Sequence, residues 1–215
     1  LHERKHPAPM IPGTIFKQKM LTWIFLNNFV VCLAMFGLPN YVPLYLQDAG
    51  FSVLMSGMAL LFMSIGWMAL SVKSGAWGLR FGYRPLLLLG NGLLLIAALL
   101  LFASQWAPGY FMLYFALLVL GAAFGLTFTV SIIGAQQLVG PGDKGISTSL
   151  QMFVRNTGLA IGVSVMGLLV NKSGSIAIGM HALFVYGVLG SMLAFVIAWR
   201  IRDHVKELQH ARAGS

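Results

Sequence analysis

The sequence has little charge for its length. Only 9% of its 215 residues are Asp, Glu, Lys or Arg, whereas about 25% are charged in an average soluble domain. Hydrophobic residues make up 58% of the chain, so too few charged side chains remain to cover a water-exposed surface. This composition excludes an ordinary soluble domain, and we predict that most of the surface contacts a lipid bilayer.

Cysteine and acidic residues are also scarce. The single cysteine, Cys32, excludes an internal disulfide and a cysteine-based zinc site, and we expect neither a metal nor a cofactor. The five acidic residues all lie outside the long apolar runs, and they are Glu3, Asp48, Asp143, Asp203 and Glu207. A proton-coupled carrier normally uses an acid inside the membrane as its proton site, and this chain lacks one.

Six apolar runs are long enough to cross about 30 Å of hydrocarbon as helices. These predicted spans are Leu21–Leu46, Val53–Val72, Pro85–Phe102, Tyr110–Gln136, Ser147–Val170 and Met180–Trp199. The connections between them are short and contain turn-forming or charged residues, so consecutive helices run antiparallel. We therefore predict an all-α membrane protein with an arm at residues 1–19, a six-helix transmembrane domain at 20–200 and a tail at 201–215.

The basic residues predict the orientation of the spans. Of the 14 Lys and Arg residues, 12 fall on one side of the predicted membrane, Lys172 falls on the other, and Arg155 lies within the fifth span. Because cytoplasmic loops retain positive charge, we expect a multi-pass protein of the plasma (inner) membrane with both termini in the cytoplasm. The net charge of +9 is spread between apolar runs rather than gathered on one face, so we expect no nucleic-acid partner.

Two stretches resemble a known family. Residues 38–90 and 145–167 are similar to the carboxy-terminal half of major facilitator superfamily transporters, specifically the fourteen-span branch of multidrug drug:proton antiporters. The resemblance implies one half of a facilitator fold, built from two inverted three-helix units. In such a half the first and fourth spans line the cavity, the second and fifth contact the other half, and the third and sixth face lipid.

A basic loop motif contributes to the resemblance. The family pattern Gly-x-x-x-Asp-Arg-x-Gly-x-Arg is matched by Gly75, Arg80, Gly82 and Arg84, but Leu79 replaces the acid. We expect both glycines to adopt positive φ and reverse the chain, and both arginines to reach helix-end carbonyls or anionic headgroups. These four residues are candidates for an interface or gate, and the alternative is a simple basic cytoplasmic turn.

The fifth span carries a second set of interface or gating candidates. Arg155, Gly158 and Gly162 occur in the order expected from the resemblance and lie on one helical face. We predict that this face contacts the other half of the transporter or the cytoplasmic mouth of the cavity. An Arg side chain that snorkels to the headgroups is the alternative.

A stripe of small and polar residues follows the fourth span. Tyr114, Gly121, Gly125, Thr129 and Gln136 are spaced by seven, four, four and seven residues, which places them on one face. Such a stripe either allows close contact with a neighbouring helix or lines a wet cavity. Thr129 and Gln136 are therefore candidates for the substrate cavity.

The first span contains polar residues, which are unusual within an otherwise apolar membrane helix. Asn28, Met35 and Pro39 are predicted to share a face that forms a cavity wall, or else Asn28 forms a hydrogen bond to another helix. Aromatic and methionine side chains suit a broad pocket for varied hydrophobic cations. The remaining cavity candidates are Phe36, Asn40, Phe124 and Phe128.

These features together predict a transporter half rather than an enzyme. We expect it to export hydrophobic or cationic small molecules in exchange for protons when combined with a missing first half. The alternatives are a half-size carrier or facilitator of another small solute that assembles with a second copy, and a membrane assembly subunit without transport activity. A rhomboid-like protease is disfavoured because Ser131 lacks the flanking glycines of a nucleophile turn and His181 is the only histidine in a span.

Overall fold

The computed structural model describes residues 19–106 and 110–201. The predicted arm and tail therefore lie almost entirely outside the described residues. Within these two ranges every regular element is a helix, and six helical segments are long and apolar enough to cross a membrane. The prediction of an all-α protein with six membrane spans is confirmed.

The helices follow the predicted order with longer ends. The first span consists of α1 (Lys19–Val31), a π-helical segment (Cys32–Phe36), a 3-10 helix (Leu38–Asn40) and α2 (Val42–Asp48). The second to fourth spans are α3 (Val53–Phe81), α4 (Tyr83–Ala103) and α5 (Phe111–Gln137). A 3-10 turn (Pro141–Asp143) leads to the fifth and sixth spans, α6 (Lys144–Lys172) and α7 (Ile176–Arg200).

The connection between the second and third spans is much shorter than predicted. The helix of the second span continues through Gly75 to Phe81, and Gly82, with φ of +88°, is the only residue between it and the next helix. The prediction of positive φ is confirmed for Gly82. It is wrong for Gly75, which is helical and whose Cβ position would lie 3.6 Å from Ile133 Cδ1 of the fourth span.

The contacts between spans repeat in two matching sets. The second span packs on the fourth as the fifth packs on the first, and the third packs on the fourth as the sixth packs on the first. The third and sixth spans also pack on each other. Exchanging spans one to three with spans four to six leaves this pattern unchanged, as two inverted three-helix units require. The first and fourth spans are the most buried, and the second and fifth are the least buried.

Glycines allow the closest of these contacts. On the fourth span, Cβ atoms added to Gly121 and Gly125 would overlap the backbone carbonyls of Met63 and Trp67 of the second span. Tyr114 Oη donates a hydrogen bond to the Met55 carbonyl, also on the second span, at 2.6 Å. This part of the small and polar stripe is therefore a packing seam, which was one of its two predicted roles.

The fifth span packs on the first span through its own glycines. The Cβ position of Gly158 would lie 2.7 Å from the Phe29 carbonyl, and that of Gly162 would overlap the Leu33 carbonyl. Both glycines are buried. This finding corrects the expectation that their face contacts the other half of a transporter, because the first span of the same chain already occupies it.

A pair of buried asparagines connects three spans. Asn27 Nδ2 donates to Asn91 Oδ1 of the third span at 3.2 Å and to the Ala194 carbonyl of the sixth span at 2.8 Å. Asn91 Nδ2 donates back to Asn27 Oδ1 at 3.2 Å. The third span thus presents a polar group to the bundle interior in addition to the apolar face expected to contact lipid. Buried amides require such partners because no water is available to replace them.

We expect Asn27→Leu to destabilise the bundle, because it leaves the Asn91 amide without its cross-span partner. The free energy of unfolding should fall by about 1–2 kcal/mol. The double variant Asn27→Leu/Asn91→Leu should lose less than the sum of the two single variants, since it leaves neither amide unpaired. Unfolding in mixed micelles measures both effects, and the exposed Asn156→Leu is the control. Strict additivity of the single effects would show that the two amides do not interact.

Candidate polar crevice between the first, fourth and fifth spans

A narrow crevice lies inside the bundle where the first, fourth and fifth spans meet. Its lining combines polar and apolar side chains, and these are Asn28, Phe128, Ile132, Gln151, Met152 and Arg155. Counted along the fifth span from Lys144, Gln151 and Arg155 are about 10 and 16 Å into the helix. The crevice is therefore well inside the membrane region rather than at a helix end.

Helical spacing brings the polar residues of the fifth span together. Gln151 and Arg155 are four residues apart and share a face, and Gly158 and Gly162 on that face draw the helix against the first span. The guanidinium carbon of Arg155 lies 5.6 Å from the centre of the Phe128 ring of the fourth span. This distance is within the range of a cation–π contact, which holds the Arg155 head inside the bundle.

The two amide side chains of the crevice have unused hydrogen-bonding capacity. Asn28 and Gln151 are each only 1% exposed. Asn28 Oδ1 and both amide atoms of Gln151 are buried without a hydrogen-bond partner. An unpaired buried amide is costly, so these groups indicate either a ligand site or a strained packing site.

The crevice has positive charge with no compensating acid. Within the described residues the only carboxylates are Asp48, which is exposed at the end of the first span, and Asp143, which lies in the turn before the fifth. Arg155 forms no ion pair among the described residues. A charged Arg at this depth costs about 2.5–3.5 kcal/mol on insertion scales, so the site favours a group that supplies negative charge.

An aromatic cluster adjoins the crevice through Phe128. The Phe36 ring is 5.3 Å from Phe124 and 5.4 Å from Phe128, centre to centre, in edge-to-face arrangements. Trp67 of the second span lies 6.1 Å from Phe36 and 5.6 Å from Phe128. The structure thus brings together three of the predicted aromatic candidates. Trp67 was missed, because the second span was assigned to an interface rather than to the cavity.

Two candidates of the first span lie away from the crevice. Met35 is fully buried, and its Sδ would be 2.7 Å from a Cβ on Gly187 of the sixth span. The predicted alignment with Asn28 assumes an α-helix, but Cys32–Phe36 is π-helical and has more residues per turn. Asn40 is exposed at the other end of the first span.

The polar candidates of the fourth span also have defined positions. Gln136 Nε2 donates to Thr148 Oγ1 of the fifth span at 2.8 Å, so it bridges two helices near their connecting turn. Thr129 is half-buried. Neither residue lines the crevice.

The arginines of the loop motif do not line the crevice. Arg80 is exposed, and its guanidinium lies 5.5 Å from the neighbouring Phe81 ring. Arg84 is half-buried in the first turn of the third span. Their proposed contacts with helix-end carbonyls or headgroups stay predictions.

Six apolar helices around an internal polar and aromatic crevice define a polytopic membrane protein. The sequence profile described as the Major Facilitator Superfamily matches residues 1–163 and 74–214. The chain belongs to this superfamily.

Several characterised proteins are similar to the chain. It is 27% identical over 181 residues to the multidrug transporter protein MdtP of Bacillus subtilis, covering 81% of the chain and 32% of MdtP. It is 25% identical over 168 residues to the multidrug efflux pump SdrM of Staphylococcus aureus, covering 78% and 37%. Citrate exporter 1 of Yarrowia lipolytica is 27% identical over 168 residues, covering 77% and 25%. The chain thus spans between a quarter and about two fifths of the length of these relatives.

Proposed function

We propose that this chain is one half of a secondary active transporter that exports hydrophobic or cationic small molecules in exchange for protons when combined with another half. Membership of the superfamily supports a transport role. The similarity to two proteins named as multidrug transporters supports the substrate class. The chain matches only part of the length of each of these relatives. This supports the inference that a further unit completes the transporter.

The observation that carries the proposal is that small and polar residues interrupt the otherwise apolar exposed surfaces of the two least buried spans. On the fifth span, Asn156, Ala160 and Ser164 are exposed and recur every four residues, and the last two line an open groove. On the second span, Gly57 and Ser64 are exposed. Small and polar residues are typical of contacts between membrane helices. We infer that these faces pack against another membrane unit.

The aromatic cluster supports a hydrophobic substrate. Phe36 and Trp67 are both half-buried, so the cluster is not sealed from its surroundings on every side. Aromatic faces attract apolar and cationic groups of varied shape through contact area and cation–π attraction. Among the described residues, the one carboxylate that belongs to a span is Asp48, which is exposed at the end of the first span, so the acid that carries the proton is assigned to the other half.

We expect both ends of the six-helix domain to lie on the cytoplasmic side of the plasma membrane. Single cysteines at Asp48 and Lys172, in a Cys32→Ala background, should react with an impermeant thiol reagent added to intact cells. A cysteine at Lys144 should react only after the membrane is opened. Strong labelling at Lys144 in intact cells would contradict the orientation, and labelling in opened cells is the control for reactivity.

Transport by reconstituted vesicles tests the proposed function. Vesicles that contain the folded chain alone should not accumulate ethidium against its gradient when a pH gradient is imposed. Vesicles that contain the chain together with a second six-helix unit, on the same or another polypeptide, should do so. Uphill accumulation by the chain alone, lost in Asp48→Asn or Asp143→Asn, would overturn the proposed division of roles and favour a carrier made of identical copies.

A further inference from the structure

The Arg155 guanidinium occupies an aromatic face that a cationic substrate would also use. Its carbon lies 5.6 Å from the centre of the Phe128 ring, which is within the range of a cation–π contact. Phe128 belongs to the aromatic cluster with Phe36 and Trp67, and both of these side chains are half-buried. A hydrophobic cation bound at the cluster therefore meets a positive charge of the chain itself.

The guanidinium has a second set of partners within the same crevice. Asn28 Oδ1 and Gln151 Oε1 are buried acceptors without a hydrogen-bond partner, and both residues line the crevice together with Arg155. The crevice has no space for a water molecule, so water does not satisfy these oxygens. Arg155 carries five N–H donors and forms no hydrogen bond with another described residue.

We propose that Arg155 is an autoinhibitory side chain with two positions. In the first position, at Phe128, its guanidinium occupies the place of the substrate's cationic group. In the second position, it donates hydrogen bonds to the amide oxygens of Asn28 and Gln151. A bound cation stabilises the second position, because cation and guanidinium compete for one ring face. The inference rests on the proposed function and adds the displacement of Arg155 as a condition for binding a cation.

The second position satisfies every unpaired amide atom of the crevice. An amide oxygen has two lone pairs, so Asn28 Oδ1 can accept from Arg155 and from Gln151 Nε2 at the same time. Gln151 Oε1 accepts from Arg155, its neighbour one helical turn along the same face. Hydrogen bonds from a charged donor are stronger than those between neutral groups. They offset the loss of the cation–π contact at Phe128.

The movement also makes room at the ring without any change in helix packing. Arg155 is half-buried, whereas Asn28 and Gln151 are each only 1% exposed, so the guanidinium moves away from the surface as it changes partners. The space that it leaves beside Phe128 becomes available to the substrate's cationic group. The apolar part of the substrate then contacts the half-buried rings of Phe36 and Trp67.

Two naphthalene compounds that differ in charge test the proposal. We would measure binding of 1-naphthylmethylammonium and 1-naphthylmethanol to the purified full chain in nanodiscs of zwitterionic lipid by equilibrium dialysis, with empty nanodiscs as the blank. We expect Arg155→Ala to bind the ammonium compound at least tenfold more tightly than the wild-type chain does, with a much smaller change for the alcohol. A tenfold gain corresponds to a ring face that is free in about one tenth of wild-type molecules.

Two further variants are controls for the effect of charge. Arg155→Lys keeps the positive charge but loses the planar fork, so it should retain most of the inhibition. Arg200→Ala removes a positive charge from the exposed end of the sixth span, and it should bind the ammonium compound as the wild-type chain does.

Replacing the two acceptors distinguishes a side chain with two positions from fixed charge repulsion. Asn28→Leu/Gln151→Leu removes both amide oxygens but leaves every charge in place. It should hold Arg155 at Phe128 and weaken binding of the ammonium compound at least threefold, and Gln151→Leu alone should show a smaller loss. Because the replaced amides are buried without partners, the melting temperature should not fall. Fixed repulsion predicts unchanged binding in these variants.

Binding of the ammonium compound by Arg155→Ala that is no tighter than binding by the wild-type chain would overturn the proposal. Unchanged binding in both Asn28→Leu/Gln151→Leu and Gln151→Leu would also overturn it, because Arg155 would then act without the amide oxygens. These measurements use the chain alone and need neither proton coupling nor a second unit. A failure of uphill ethidium transport would therefore count against the proposed function and leave this result in place.

Discussion

Replacing Gly121 with alanine should destabilise the bundle severely. A Cβ atom on Gly121 would overlap the Met63 carbonyl of the second span, so the two helix backbones must separate to admit a methyl group. Overpacking typically costs 1–3 kcal/mol when side chains can adjust, and a backbone carbonyl cannot rotate away. We expect the free energy of unfolding to fall by about 3 kcal/mol, measured by unfolding in mixed micelles. The yield of monodisperse protein should fall with it.

Gly57→Ala is the matched control for Gly121→Ala. Gly57 is also within a membrane-spanning helix, but no heavy atom lies within 4 Å of its Cβ position. Alanine favours the helix over glycine by about 1 kcal/mol, so this variant should be as stable as the wild-type protein or more stable. Equal stability of the two variants would contradict the close packing of the second and fourth spans.

Ala160→Trp should abolish uphill transport while leaving the chain folded. Ala160 is exposed in the open groove of the fifth span, so a large ring meets no side chain of this chain's interior. It would keep another helix from close approach, because contacts between membrane helices depend on small residues. We expect at least a tenfold loss of proton-driven ethidium transport by the assembled transporter, with an unchanged melting temperature of the chain alone.

Leu193→Trp is the control for adding a large side chain to a different exposed surface. Leu193 is exposed on the sixth span, which is expected to face lipid, so a larger side chain should have little effect on transport. Full transport by Ala160→Trp, or equal loss in both variants, would show that the groove of the fifth span is not an assembly surface.

The number and order of the spans could be predicted because they depend on length and composition alone. A long apolar run has few alternatives in a bilayer, since the backbone must satisfy its own hydrogen bonds. The predictions that were wrong depended on local backbone geometry. The π-helical segment Cys32–Phe36 changes which face Met35 occupies, and the helix of the second span continues past Gly75 where a loop motif predicted a turn.

The partners of buried groups were the least predictable part of the fold. Asn91 lies in a leucine-rich run whose composition predicts contact with lipid. Its pairing with Asn27 shows that its side chain points into the bundle. Gly158 and Gly162 were correctly placed on one helical face, but helical spacing does not tell which helix covers that face. The first span covers it here.

The candidate site was predicted in part. Asn28, Phe128 and Arg155 were selected from polarity, aromatic character and depth, and the structure places all three at one crevice. Gln151 was missed, although its position four residues before Arg155 put it on the same helical face. A single uncharged amide gives a weak signal in the sequence, and its burial without a partner becomes evident only from the packing.

The mass of the transport-active complex is the most direct test of the central claim that this chain is one half of a transporter. Native mass spectrometry of the active complex, released from its own membrane in lipid nanodiscs, gives that mass. We expect a complex that contains the chain, of 23.3 kDa, together with at least one further six-helix unit on the same or another polypeptide. A complex of a single 23.3 kDa chain that retains proton-driven transport would contradict the claim.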